Sequence, residues 1–149
     1  MKLSTKGRYG LRALIDLALY SENETVSIQS IARRQNISDS YLEQLMRKLR
    51  SAGLIVSVRG AQGGYKLARP ANEISVGDVL RALEGSLEAV TCGGEDNSCQ
   101  GADLCVTKFV WERINSSIRD TVDSIKLSQL VEESRLMREK GADSGTKMR

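Results

Sequence analysis

The chain has 149 residues, 40% apolar and 28% charged, with a formal net charge of +3, one proline, three cysteines and no histidine. That length allows one compact domain, or a small domain with an appended element that needs a partner to bury its apolar face, and leaves little room for a large enclosed substrate cavity. No apolar run approaches a bilayer span and the basic, then amphipathic start offers no small-residue cleavage site, so a cytoplasmic protein without a membrane partner is expected.

The charge is unevenly placed. Residues 1–70 carry 12 Lys/Arg against 5 Asp/Glu, net +7, whereas residues 71–149 carry 10 against 14, net −4. The first half is where a polyanion would bind.

Over residues 3–20 the apolar positions Leu11, Leu14, Ile15, Leu17, Ala18 and Leu19 recur at helical spacing and predict a first, core helix. After the polar break "SENET", "SIQSIARRQ" opens on a cap-capable Ser27 and sets Ile28 and Ile31 on one side, a short second helix. "NIS" makes a tight connection. "DSYLEQLMRKLRSAG" then places Tyr41, Leu42, Leu45, Met46 and Leu49 on one face and stops at Gly53. A short helix, a three-residue turn and a longer helix have helix-turn-helix spacing. "LIVSVRG" and "YKLAR" read as two strands joined through "AQGG", a hairpin directly after the third helix. The fold class expected is mainly α with a small β-hairpin wing: a winged helix-turn-helix.

Pro70 and "ANEI" close the wing, and "SVGDVLRALEG" predicts a fourth helix capped by Ser75, with Val76, Val79, Leu80 and Leu83 inward. Farther on, Val106, Val110, Trp111, Ile114, Ile118, Val122 and Ile125 recur every three or four residues over about five helical turns. Such a stripe needs cover. The same helix of a second subunit supplies it most simply, giving a homodimer; packing back on its own domain through Phe109 and Trp111 is the alternative. "LSQLVEES" adds a short helix. The domains expected are therefore a winged helix-turn-helix over residues 1–85, a cysteine loop over 86–106, a dimerisation helix and short C-terminal helix over 107–136, and a disordered tail over 137–149.

In a winged helix the third helix enters the major groove through its N-terminal residues and a basic wing residue enters the neighbouring minor groove. The candidates are Ser38, Ser40, Tyr41, Glu43, Gln44 and Arg47 on the helix, and Arg59 with Gly60 on the wing. Gln44 can pair bidentately with adenine, Glu43 can accept from the cytosine amino group, and the hydroxyls of Ser38, Ser40 and Tyr41 suit phosphates. Lys2, Lys6, Arg8, Arg47, Lys48 and Arg50 supply a sequence-independent attraction, although each alone reads equally well as a solvated surface charge.

All three cysteines fall in "CGGEDNSCQGADLC", as Cys92, Cys99 and Cys105. Thiolates are soft ligands for zinc or iron–sulfur clusters, and the glycines let a loop of this length wrap a cluster. No CxxC pair is present, which excludes a zinc ribbon. Spacing alone leaves a cluster, a zinc site, a thiol redox switch and a buried structural set all open.

Together, "LSTKGRYGLRALIDLALY", "SYLEQL", "VRGxxGGY", "ISVGDVLRALEG" and the three-cysteine loop resemble the IscR-type iron–sulfur cluster regulators, from the N-terminus to about residue 131. The resemblance implies a homodimer that binds double-stranded DNA at a palindromic operator. It implies one cluster per subunit, usually 2Fe-2S, on Cys92, Cys99 and Cys105, and control of cluster-assembly genes. It also places Gln44 and Arg59 on base-reading positions and Glu43 on one that adjusts operator class. The family's best-known branch carries a histidine where this chain has Lys108, so the fourth ligand here is open: Asp103, Glu95, Asp96, Glu43, an exogenous thiol or water, or Lys108 as a neutral amine. The rivals are a nitric-oxide-sensing or cysteine-metabolism repressor of the same fold and, from a different class, a small thiolate-metal enzyme, which the absence of any histidine or neighbouring general base disfavours.

Overall fold

The computed structural model describes residues 3–90 and 106–143. Four serines set where the first helices begin. Ser4 accepts a hydrogen bond from the Lys6 N–H ahead of α1 (Thr5–Tyr20), and Ser27 accepts one from Ser30 ahead of α2 (Ile28–Gln35). Ser38 does the same for Tyr41 ahead of α3 (Asp39–Ser51), and Ser75 forms a reciprocal capping box with Asp78 ahead of α4 (Val76–Glu84). Each such cap is worth about 1 kcal/mol. Asn36 ends α2 in the left-handed region at φ 56°, which turns the chain sharply enough for α3 to begin at Asp39.

The wing is an antiparallel pair of β1 (Ile55–Val58) and β2 (Gly64–Leu67), with Ile55 opposite Leu67 and Val58 opposite Gly64. β1 ends at Val58, so Arg59 lies just ahead of the turn rather than in the strand. A one-turn 3-10 helix, Ala71–Glu73, leads into α4. Beyond the cysteine segment run α5 (Thr107–Ser124) and α6 (Leu127–Asp143).

The core is built from Leu14 and Leu17 of α1, Ile31 of α2, Leu42, Leu45, Met46 and Leu49 of α3, Leu54 and Ile55 at the wing base, and Ile74, Val79 and Leu83 around α4. α1 and α4 approach closely because Gly7 and Gly10 carry no side chain. A Cβ on Gly10 would collide with the Leu83 methyls, and one on Gly7 would sit 3.3 Å from Leu80 Cδ2. On its other side α4 gives Val76 and Leu80 to a second cluster with Leu87, Ile118, Val122 and Ile125. Arg81 closes that contact with two hydrogen bonds to Asp123, at 2.7 and 2.9 Å, and the Val76 N–H donates to the Ile125 carbonyl at 2.8 Å.

One charge lies inside the core. Asp16 of α1 is buried and accepts from Arg34 Nε and Nη2, the shortest bond being 2.7 Å, and from Gln35 Nε2 at 2.9 Å. The hydrogen bonds that Arg34 donates to Asp16 hold its guanidinium above its ordinary pKa. Arg34 also stacks on the Tyr20 ring at 4.0 Å, so α1 and α2 are joined through this ion pair.

α6 is longer than the short helix expected over "LSQLVEES" and runs through residues 137–143 of the stretch expected to be a disordered tail. Side chains hold it down. Val131 is buried, Arg138 Nη1 donates to the Tyr20 hydroxyl at 2.6 Å, and Arg135 pairs with Glu22. No glycine interrupts the helical pattern before Gly141.

Replacing Arg34 by Ala should leave the buried Asp16 carboxylate without its cation and cost about 3 kcal/mol. Chemical denaturation of the two proteins measures this as a lower midpoint at unchanged slope.

Candidate nucleic-acid interface

Helix α3 divides cleanly. Leu42, Leu45, Met46 and Leu49 are buried, while Ser40, Glu43, Gln44, Arg47, Lys48 and Arg50 are exposed. The inward row fixes the rotation of the helix, so the outward row is fixed with it. Ser38 is committed first to the cap. Its oxygen accepts the Tyr41 N–H at 3.2 Å, which leaves the hydroxyl proton for another acceptor.

Tyr41 is half-buried, and its surroundings differ from those of its neighbours. Its ring meets Tyr9 edge-on at 6.2 Å, its hydroxyl is hydrogen-bonded to Thr5 Oγ1 at 3.1 Å, and Arg12 lies over the Tyr9 ring at 5.2 Å. The tyrosine therefore braces the start of α3 against the start of α1. Exposed Lys6 and Arg8 stand on that same first turn or two of α1; Lys2 lies outside the described residues. Beside this face Arg47, Lys48, Ser51, Ala52 and Ala82 line a shallow hollow of about 400 Å³ with two positive charges at its rim.

The second basic element is the wing. Arg59 and Gly60 are exposed, and Gly60 has φ 116°, a conformation that strains any residue with a Cβ. The Gly63 N–H donates to the Gly60 carbonyl at 2.9 Å and closes the turn, and a Cβ at Gly63 would strike the Val58 carbonyl.

Glu84, at the end of α4, is clasped to the start of α1. It accepts from the Ser4 N–H at 2.6 Å and from the Ser4 hydroxyl. Those two bonds, the hydroxyl first, hold its carboxyl below the ordinary glutamate range, helped by the positive charges of Lys6 and Lys48. A carboxylate at the N-terminus of α1 also meets the positive end of the helix dipole.

Cys92, Cys99 and Cys105, with Glu95, Asp96 and Asp103, lie outside the described residues, and no group of three or more metal-ligating side chains occurs among the described ones. The anchorage of the segment that leads into them is visible. Asn115, buried on α5, accepts the Ala89 N–H at 2.7 Å and donates to the Val90 carbonyl at 2.9 Å. Lys108 is ion-paired with Glu112 one turn along α5 at 3.9 Å, and Glu43 stands on the exposed face of α3.

The apolar stripe of α5 is only half covered. Ile118, Val122 and Ile125 pack toward α4, whereas Phe109 is 66% exposed and Val110 and Ile114 are also open. Phe109, Val110, Ile114, Ile118 and Val122 line a groove of about 620 Å³, and among the described residues that line it Arg113 is the one that is charged. Among the described residues, no helix is long and apolar enough to cross a membrane.

A helix-turn-helix whose second helix shows a polar and charged row, followed by a basic two-stranded wing, has the form of a winged-helix DNA-binding regulator. The chain belongs to the Rrf2 family: the family model, described as an iron-dependent transcriptional regulator, matches residues 3–133. It is 47% identical over 131 residues to the HTH-type transcriptional regulator IscR of Pectobacterium atrosepticum, covering 88% of this chain and 79% of that protein. Among solved structures it superposes on T. potens IscR with a TM-score of 0.72 at 47% identity, covering 90% of this chain and 88% of that one. It superposes on CymR, the global cysteine regulator of B. subtilis, with a TM-score of 0.74 at 41% identity, covering 89% and 98%.

Sequence reasoning identified the exposed row of α3 but missed Tyr9 and Thr5, which brace Tyr41 against α1, and Glu84, which holds the start of α1, through contacts 32 to 80 residues apart in the chain. Because the folded-state carboxyl of Glu84 is depressed, its contact stabilises the fold above the unfolded-state pKa and is lost as pH falls through the folded-state value. Glu84→Gln should therefore flatten the acid limb of the stability profile: between neutral pH and the region below the ordinary glutamate range the wild type loses more stability than the variant, as measured by denaturant midpoint against pH.

Proposed function

We propose that this chain is an iron–sulfur-responsive transcriptional regulator that binds a palindromic operator as a homodimer and controls genes for cluster assembly. The observation that carries the reading is the division of α3, with its core row buried and Ser40, Glu43, Gln44 and Arg47 outward, on the same domain as an exposed Arg59 just ahead of a glycine-built turn. Gln44 and Glu43 read base edges in the major groove, Arg59 enters the minor groove beside Gly60, and Ser38, Ser40 and Tyr41 with the lysines and arginines of α1 and α3 hold phosphates.

The donor set suits a cluster. Three thiolates within residues 92–105 are soft ligands of the kind iron–sulfur groups require, and the names of the IscR relatives support that assignment. Cys92, Cys99 and Cys105 would hold one cluster per subunit, of the 2Fe-2S type, with a carboxylate or an exogenous ligand in the fourth position. When bound, the cluster supplies a group whose presence depends on cellular iron–sulfur supply and on oxidants. The chain's own part is mechanical. Asn115 straps residues 89 and 90 to α5, and the Arg81–Asp123 pair fixes α5 to α4, so order in the cysteine segment bears directly on the helix that sets the spacing of two DNA-binding domains.

The likeness to CymR favours a second reading, a regulator of cysteine metabolism without a cluster. Spectroscopy separates the two. Protein purified without oxygen should show visible charge-transfer absorption with near-equal iron and sulfide, lost in Cys92→Ala; a colourless protein that cannot be reconstituted, yet still binds an operator, supports the second reading.

The open groove of α5 fits the same helix of a second copy. Ile114→Asp should convert a dimer to a monomer by sedimentation and weaken operator binding by at least tenfold, since two half-sites then bind independently.

A further inference from the structure

The wing strands are four residues long, and a two-stranded hairpin of that size is marginal by itself. Something must therefore hold its tip where Arg59 can work. Backbone ties the start of β2, one rung from the turn: the Val26 N–H donates to the Tyr65 carbonyl at 2.9 Å and the Tyr65 N–H to the Val26 carbonyl at 2.8 Å. Gly64 fits beneath this rung because a Cβ there would lie 2.6 Å from the Val26 carbonyl oxygen. The tip has one further tether. Thr25 Oγ1, in the connection between α1 and α2, donates to the Gln62 carbonyl at 2.6 Å. Gln62 belongs to the turn closed by the bond from Gly63 to Gly60, and Arg59 immediately precedes that turn. Among the described residues nothing lies within 4 Å of where a Cβ on Gly60 would sit, so packing does not restrain this side of the turn.

We propose that Thr25 is a positioning residue for operator recognition: its hydroxyl latches the wing turn through the Gln62 carbonyl and so fixes the direction in which Arg59 is presented. The inference rests on the minor-groove role given to Arg59 above. Threonine suits the task. The latch needs one donor on a short, stiff side chain, because a long flexible donor would let the tip swing. Valine keeps the β-branched shape and removes the donor, so Thr25→Val tests the hydroxyl with the shape held nearly constant.

The test is fluorescence anisotropy on two operator duplexes that differ only in the base pairs flanking the half-sites, A·T in one and G·C in the other. A narrow A·T minor groove attracts an inserted arginine and the G·C flank does not. The proteins compared are wild type, Thr25→Val, Thr25→Ser, Arg59→Ala and the double variant Thr25→Val/Arg59→Ala. Thermal unfolding confirms that each is folded, and Thr25→Ala stands in should the valine variant not fold. Losing the hydrogen bond should weaken Thr25→Val on the A·T-flanked duplex by about fivefold and reduce its preference for that flank. Thr25→Ser should restore both, and the double variant should bind no worse than Arg59→Ala alone. Wild-type binding by Thr25→Val, an equal loss on both duplexes, or a loss that adds in full to that of Arg59→Ala would overturn the latch. If Arg59→Ala leaves the flank preference unchanged, the minor-groove reading fails and takes the latch with it. If Arg59→Ala removes the preference and Thr25→Val does not touch it, the latch alone fails.

Discussion

Helix α4 lies close against α1 because Gly7 and Gly10 leave space for Leu80, Leu83 and Glu84, and most of what the molecule presents to its surroundings follows from that contact. From this position α4 supports the inner face of α3 on one side. On the other it receives α5 through Val76, Leu80 and the Arg81–Asp123 pair. The candidate recognition helix and the helix with the open apolar groove are thus joined through one short helix. A larger residue at Gly10 would press on Leu83 and be felt at both, since a packed core passes displacement on rather than absorbing it.

The polar interactions fall into two groups. Arg34 and Gln35 satisfy the buried Asp16 carboxylate in a network whose task is to set α1 against α2. Glu84 with Ser4 and Tyr41 with Thr5 are peripheral and partly open, Asn115 with residues 89 and 90 lies deeper, and each ties a chain segment near a candidate binding element to a rigid helix. The first group belongs to stability. The second belongs to alignment, where less free energy is at stake and geometry counts for more.

Much of this was legible in the sequence, for identifiable reasons. Ser27 and Ser75 mark helix starts because a hydroxyl next to an apolar repeat has a local use as a cap, whereas Ser38, read only as a phosphate contact, also caps α3; the alternation of Leu42, Leu45, Met46 and Leu49 with charged residues has only one helical solution. Asp16 was visible only as an interruption of an apolar run, because its partners come from the next helix. The α5 stripe was visible as a stripe, but its division into a face turned to α4 and a face left open depends on the crossing of two helices, which no single-helix pattern encodes. The length of α6 was missed because Arg135 and Arg138, which read as ordinary surface charges, find Glu22 and Tyr20 more than a hundred residues away. Thr25 sits in a polar loop, where a hydroxyl carries no signal.

The division of α3 also bears on how such a protein changes over generations. Ser40, Glu43, Gln44 and Arg47 contribute to none of the hydrophobic core, and the cap at Ser38 lies just ahead of them. Substitutions in that outward row cost little folding free energy, so they are not screened out by the stability threshold that limits core positions. With the base-reading role proposed for that row, a duplicated gene acquires a new set of target promoters by altering these few side chains while its scaffold remains as it is.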